Sequence, residues 1–193
     1  MLKALEKGEP QLISIAPDDV LSEKGHKVGE IVDGVAFARN GCPSRGTIDM
    51  FVEPYLPRPE LVVFGASPVA QALADLAPRF DWATRCLDAG QVPQNVTSRQ
   101  RAIVIATQGQ GDLQALQTAL ASPSRYVGFV GSRLKFAALS AKLATENVPT
   151  NRIARVQAPA GLDIGAITPE EIALSILAAL TQQRRRPATD IAE

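Results

Sequence analysis

Leu61-Val62-Val63-Phe64-Gly65-Ala66-Ser67-Pro68-Val69-Ala70 is the stretch whose reading decides the fold. Four consecutive apolar residues end at a glycine, as in a strand covered on both faces. Apolar positions at Val69, Leu73, Leu76 and Ala77 then recur at helical spacing. Ser67 offers an N-cap and Pro68 a proline at the first helical position. A strand that turns directly into a helix opens a βαβ unit.

The alternation continues downstream. Trp82 to Leu87 is a strand candidate ending at Asp88, and Ala102 to Ala106 a buried strand followed by a helix from about Asp112 to Ala121. Tyr126 to Val130 reads as a strand, Arg133 to Asn147 as a helix, Ile153 to Val156 as a strand and Pro169 to about Gln183 as a helix. The expectation is an α/β chain with a Rossmann-like, doubly wound parallel sheet over residues 60–186 and a flexible tail over 187–193. Upstream, Glu53-Pro54-Tyr55-Leu56-Pro57-Arg58-Pro59 excludes helix and central strand, so 55–59 reads as a stiff linker. Residues 1–54 hold short strands at Gln11 to Ala16, Val35 to Ala38 and Thr47 to Val52. They predict a small β-rich module, too small to be stable alone.

Composition narrows the function. The 193 residues carry 20 Lys+Arg against 20 Asp+Glu, without the sustained basic stretch that grips a phosphate backbone, so nucleic acid is excluded as a partner. Met1 to Pro10 has no apolar signal core and no apolar run approaches the length of a membrane span, which predicts a cytoplasmic protein without membrane insertion. Asn95-Val96-Thr97 matches a glycosylation sequon but has no meaning without a secretory signal. Two cysteines and one histidine form neither a disulfide framework nor a Cys/His zinc cluster.

The strand-to-helix turn at Gly65 is where a dinucleotide-binding fold seats a pyrophosphate, but only the first glycine of G-x-G-x-x-G is present. Ser67 and Ala70 replace the others, and both a ligand phosphate and a simply well-capped helix fit this turn. Asp88 falls where an acidic residue would meet a ribose hydroxyl. Thr107-Gln108-Gly109-Gln110-Gly111 and Gly131-Ser132-Arg133 belong to the same carboxyl edge of the sheet. A cation such as Arg133 at a helix start is disfavoured by the dipole unless something negative faces it, which points to an anionic ligand. Thr168-Pro169-Glu170-Glu171 is a capping box, while Asp163 stands between glycines in an irregular segment. The candidate cofactor-binding set is therefore Gly65, Ser67, Asp88, Thr107, Gly131, Ser132, Arg133 and Asp163.

The catalytic repertoire is thin. His26, in the charged turn Ser22 to Lys27, reads as a surface residue, which removes Ser-His-Asp hydrolysis. Cys86 reads as an inert thiol inside an apolar strand. Cys42, in Asn40-Gly41-Cys42-Pro43-Ser44-Arg45-Gly46, lies in a loop with Arg45 nearby to favour a thiolate. Such a thiolate is soft enough to ligate molybdenum or copper and nucleophilic enough to carry a persulfide sulfur, which makes Cys42 the candidate nucleophile or ligand.

Gly41-Cys42-Pro43-Ser44-Arg45-Gly46-Thr47-Ile48-Asp49-Met50-Phe51-Val52-Glu53-Pro54 resembles the cysteine segment closing the first domain of the XdhC/CoxI family. Leu61 to Ala70 resembles its Rossmann entry, and Tyr126-Val127-Gly128-Phe129-Val130-Gly131-Ser132-Arg133-Leu134-Lys135 its Y-x-G-x-x-G-S-R-x-K motif. Ala158-Pro159-Ala160-Gly161-Leu162-Asp163-Ile164-Gly165-Ala166-Ile167-Thr168-Pro169-Glu170-Glu171-Ile172-Ala173 resembles its G-L-D-I-G-A-x-T-P-E-E-I-A motif.

The resemblance implies an accessory factor for molybdenum hydroxylases such as xanthine dehydrogenase or aerobic carbon monoxide dehydrogenase. Such a factor binds molybdenum cofactor, assists its sulfuration and passes it to the apoenzyme, with a cysteine desulfurase as a further partner; the role is that of a chaperone rather than an enzyme. The sequence departs from the family pattern in lacking a G-G-C-V-E segment, in Gly65-Ala66-Ser67-Pro68-Val69 where G-A-G-H-V is common, and in Thr107-Gln108-Gly109 where a T-H-D-type loop is common. These departures point to a separate complementary subunit or to retention of the binding role alone, and a homo-oligomer stands beside them among the expected partners. Two competing readings are an NAD(P)-dependent oxidoreductase of the same fold and an assembly subunit that binds no cofactor. The degraded glycine pattern and the lack of a proton donor at the sheet edge weigh against the oxidoreductase.

Overall fold

The computed structural model describes residues 9–43, 45–93 and 100–185. The tail expected over 187–193, the sequon at 95–97, most of the N-terminal turn and Ser44 lie outside the described residues. The chain forms two units, Met1–Pro57 and Arg58–Glu193.

The first unit contains β1 (Gln11–Ala16), α1 (Asp18–Glu23), β2 (Ile31–Val32), β3 (Val35–Arg39) and β4 (Ile48–Val52) in a sheet of order β2-β3-β1-β4. β1 runs antiparallel to β4 but parallel to β3, and a parallel pair needs a crossover, which α1 supplies. Sequence periodicity misses α1 because six residues with one buried side chain, Leu21, make no stripe. Arg39 pairs with Asp18 at 3.1 Å, which ties α1 to β3. His26 is not the plain surface residue expected: its ring stacks on Phe37 with centroids 4.0 Å apart.

The second unit contains β5 (Glu60–Phe64), α2 (Pro68–Leu76), a 3₁₀ turn (Ala77–Phe80), β6 (Ala83–Leu87), β7 (Arg101–Ile105), α3 (Asp112–Ala121), β8 (Tyr126–Phe129), α4 (Arg133–Thr145), α5 (Thr150–Ile153), β9 (Val156–Gln157) and α6 (Pro169–Arg185). The five strands are all parallel, in the order β6-β5-β7-β8-β9. Period-2 alternation sends their side chains to two separate cores. Leu61, Val63, Ala102 and Val104 pack with Leu73 of α2 and Ile176, Leu177 and Leu180 of α6. Val62, Phe64, Ile103 and Ile105 pack on the other face with Leu116 of α3 and Leu143 of α4. Each fully buried side chain of this size contributes about 1.5–3 kcal/mol relative to exposure, so the two-sided coverage holds the sheet together.

Two expectations need correction. The strand expected over 153–156 is instead the end of α5 followed by β9. Pro149 starts a helical turn, and Ile153 reaches the second core from that turn, so the apolar residue was informative but the element type was not. Cys86 is exposed rather than a core thiol, because β6 is the edge strand, hydrogen-bonded to β5 alone.

At the amino end of the sheet, Glu60 is buried with Arg101, whose Nε donates to it at 2.6 Å, and also meets Arg85 at 3.2 Å. At the opposite, carboxyl end, the strands feed the loops that hold the candidate residues.

Candidate functional site

In this strand order the winding reverses between β5 and β7, and open α/β sheets bind ligands at such a switch point, outside the carboxyl ends of the strands. The β5 turn is shaped first by packing. Gly65 has φ +106°, and a Cβ there would lie 2.6 Å from the Ala106 carbonyl oxygen and 2.7 Å from Thr107 Cα. Glycine is required for this turn to lie against the β7 loop. Ser67 Oγ accepts from the Ala70 amide at 3.2 Å, and Pro68 occupies the first helical position of α2 without an N–H. The capped helix start is thus realised, with two of its amides removed from ligand service.

The β7 loop holds the most organised polar cluster. Gln108, Gly109 and Gly111 take left-handed φ values of 53°, 98° and 84° and fold the loop back on the start of α3. Asp112, only 6% exposed, accepts from the Thr107 hydroxyl and from the Gly109 amide at 3.1 Å, and pairs with Lys135 Nζ at 2.5 Å. Burial alone would push the Asp112 carboxyl up; the Lys135 ammonium, the Thr107 hydroxyl and the Gly109 amide together hold it below the usual carboxylate range. The loop expected to cradle an external anion therefore carries its own, and Thr107 is committed to it.

The β8 loop is different. A Cβ on Gly131 would meet the Phe129 ring at 2.5 Å, so this glycine also serves packing. Ser132 caps α4, its Oγ accepting from the Lys135 amide at 3.2 Å. Arg133 is exposed and forms no ion pair among the described residues, and the Arg133 and Leu134 amides at the start of the helix have no acceptor among them. Leu134, next in sequence, is 83% exposed.

Beyond β9, Gly161 takes φ +95°, and its amide donates to the Tyr126 hydroxyl at 3.3 Å. Asp163 is exposed and makes no contact that would explain it among the described residues. The capping box forms as read: Glu171 accepts from the amides of Thr168 at 3.0 Å and Ile167 at 2.8 Å, which lowers its pKa. Ile164 and Ile167 are 52% and 84% exposed at this same edge. Asp88 heads a turn in which its amide donates to Gln91 Oε1 at 3.1 Å.

The carboxyl edge thus gathers Gly65, Ser67, Thr107, Gly131, Ser132 and Arg133, with Asp88 and Asp163 after the two outermost strands. Sequence reading missed Asp112 and Lys135. Both lay inside segments read as helix starts, and only the third dimension brings α3 and α4 together. A shallow cleft of about 380 Å³ between α2 and β6 is floored by Gly65, Ala66, Ala70 and Ala74 and bordered by Asp75 and Cys86. Partial burial, then the Asp75 charge, push the Cys86 thiol up.

Cys42 belongs to the first unit and is exposed. Its amide donates to Asn40 Oδ1 at 2.9 Å, and its carbonyl accepts from the Arg45 amide at 3.1 Å. The Arg45 guanidinium, expected to favour a Cys42 thiolate, pairs with Asp19. Among the described residues no three His, Cys, Asp or Glu side chains gather in a metal-binding group, and no helix is long and apolar enough to cross a membrane.

A family model described as XdhC Rossmann domain matches residues 61–180. An uncharacterized protein, YqeB of Escherichia coli (strain K12), is 31% identical over 174 residues, covering 76% of this chain and 32% of that protein. A probable xanthine dehydrogenase subunit of Bacillus subtilis (strain 168) is 28% identical over 165 residues, covering 74% of this chain and 48% of that protein. The crystal structure of a xanthine dehydrogenase from Bacillus halodurans superposes with a TM-score of 0.54 at 24% identity, over 72% of this chain and 47% of that one, a likeness of fold. The chain spans about a third to a half of the length of the curated relatives it matches.

Proposed function

The chain belongs to the XdhC family, whose Rossmann-domain model covers residues 61–180, and from that premise we propose that it serves the maturation of a molybdenum hydroxylase. It binds molybdenum cofactor as cargo, assists its sulfuration and hands it to the apoenzyme of a xanthine dehydrogenase or carbon monoxide dehydrogenase, with a cysteine desulfurase as sulfur source. The relative named for xanthine dehydrogenase supports the target class.

The observation that carries this reading is the start of α4. Unpaired Arg133 and the Arg133 and Leu134 amides beside the Ser132 cap offer a seat for one phosphate group, the anionic handle of the pterin. Exposed Leu134, Ile164 and Ile167 stand at the same edge of the sheet, apolar surface suited to a protein that must receive the cargo. The features that would seat a dinucleotide are weakened: Pro68 removes an amide at the β5 turn, and the Asp112 carboxylate repels a second phosphate at the β7 loop. Cargo with one anionic group fits this distribution better than NAD(P). Cys42, exposed on the first unit, is the proposed sulfur or molybdenum ligand.

The test is purification from cells able and unable to make molybdopterin, followed by fluorescence assay of the released pterin. Pterin present only in the first preparation, and lost in Arg133→Ala, is expected. A protein that carries no pterin but binds NAD at micromolar concentration and transfers hydride would replace this reading with the oxidoreductase.

A further inference from the structure

We propose that the cleft where β8, β9 and the last turns of α6 meet is a second, separate anion site, built for a small molecule bearing a carboxylate or phosphate. The cleft is about 200 Å³ and is lined by Arg125, Tyr126, Arg155, Gln157, Gln182 and Gln183, with no acidic side chain on its walls. That volume is below the range of nucleotide-sized pockets and suits a phosphate or a short dicarboxylate.

The two guanidinium-bearing side chains, both exposed, share one cleft without a carboxylate on its walls. Arg39, Arg45, Arg58, Arg85 and Arg101 each stand within 4.0 Å of an Asp or Glu oxygen. Arg125 and Arg155 form no ion pair among the described residues, so both charges are open to an entering anion. The site is also held in place. Arg155 Nη2 donates to the Ser124 carbonyl at 2.6 Å, and Gln183 Nε2 donates to the Arg125 carbonyl at 2.7 Å.

Tyr126 adds an independent observation. It is 7% exposed, and its hydroxyl oxygen accepts from the Gly161 amide, yet the O–H itself has no acceptor among the described residues. Burial pushes its pKa up to about 12, so the phenol stays a donor at neutral pH. Because Tyr126 lines the cleft, this O–H is a neutral donor available to an entering acceptor. Two guanidiniums and a phenol on the walls of one cleft that has no carboxylate make a donor set that matches an oxyanion and rejects a cation.

The experiment titrates the isotope-labelled protein with inorganic phosphate in one arm and succinate in the other, at constant ionic strength, with chloride as control. The readouts are the Gly161 backbone amide and the side-chain amides of Gln157, Gln182 and Gln183. Saturable shifts in either arm, absent with chloride, support the site and assign its chemical class. Arg125→Gln is the matched variant, because the Arg125 guanidinium forms no hydrogen bond or ion pair among the described residues and its removal spares the fold. It should weaken binding about tenfold, the effect of one lost charge-assisted hydrogen bond, while Arg133→Ala leaves these shifts unchanged. Absence of saturable shifts in both arms, or shifts that persist in Arg125→Gln, would overturn the proposal. Neither result bears on the α4 seat, whose readout is the pterin.

Discussion

Replacing Asp112 by Asn should lower stability and raise anion affinity at once, a pair of opposite changes that few substitutions produce. The side chain keeps its shape, and Asn Oδ1 can still accept from Thr107 and Gly109. What is lost is the Lys135 partner, together with the charge assistance to the other two bonds. A hydrogen bond to a charged group is worth about 1.5–3 kcal/mol; Lys135 is 42% exposed, so solvent screening takes the lower end of that range. Adding the weakened pair of neutral bonds, the loss is about 2 kcal/mol, a fall in melting temperature of about 5–10 °C for a unit of this size.

The pH dependence has a definite sign. The folded Asp112 carboxyl lies below its ordinary value of 3.8, so the stability it supplies is complete above that value and disappears as pH falls through the lower, folded value. The gap between the two proteins should therefore be full at pH 7 and close only in strong acid. Freed from its partner, Lys135 joins Arg133 in facing an incoming anion, and removal of one nearby negative charge favours binding by about 1 kcal/mol, a several-fold gain. Thermal melts across pH, with titration of phosphate or pterin, measure both. An Asp112→Asn protein as stable as the parent at pH 7, or one that binds anion more weakly, would show that the Asp112–Lys135 pair does not govern this edge.

Glu60→Gln should cost about 1.5–3 kcal/mol in chemical denaturation, because the buried bond from Arg101 loses its charge assistance. Arg133→Ala should weaken pterin retention at least about tenfold with almost no change in melting temperature, since its side chain holds nothing in place; a collapse in melting instead would make Arg133 structural. Cys86 should alkylate slowly at neutral pH although it is exposed, with a rate still rising above pH 9.0, because its thiol is raised above that value; a rate that levels off below pH 8 would contradict the Asp75 and burial argument. Gly65→Ala should fold poorly or not at all, as judged by expression and circular dichroism, because its Cβ would strike the Ala106 and Thr107 backbone.

Those elements that bury a regular stripe were legible from sequence. β5 and β7 are continuous apolar runs because both faces are covered, and α3 and α6 carry apolar residues at helical spacing. Failures came where burial is one-sided or brief. β6 looks apolar, but as an edge strand it leaves Cys86 in solvent. α5 is a single turn whose Ile153 is buried like a strand residue, and α1 buries one leucine. At the site, local signals such as the Ser67 and Ser132 caps and the Thr168–Glu171 box were readable because their partners are three residues apart. Asp112 and Lys135 are 23 positions apart on different helices, and no local rule reports a pair of that kind.

The glycines of the motifs carry a different weight from the one their spelling suggests. Gly65 is closed off by the β7 backbone, Gly128 by the Tyr126 side chain, Gly131 by the Phe129 ring, and Gly161 by Ser175 and the backbone of α6. Each is explained by close packing before any ligand is considered, so a glycine at the end of a strand here does not by itself mark a phosphate. A Gly65 or Gly161 variant that loses cargo has first lost its fold, and its binding defect carries no information about contact. The side chains that packing leaves unexplained are Arg133, unpaired and exposed at a helix start, and Asp163, exposed between glycines. Because neither supports the fold, loss of pterin from their variants, with melting unchanged, is the result that would connect this edge of the sheet to its cargo.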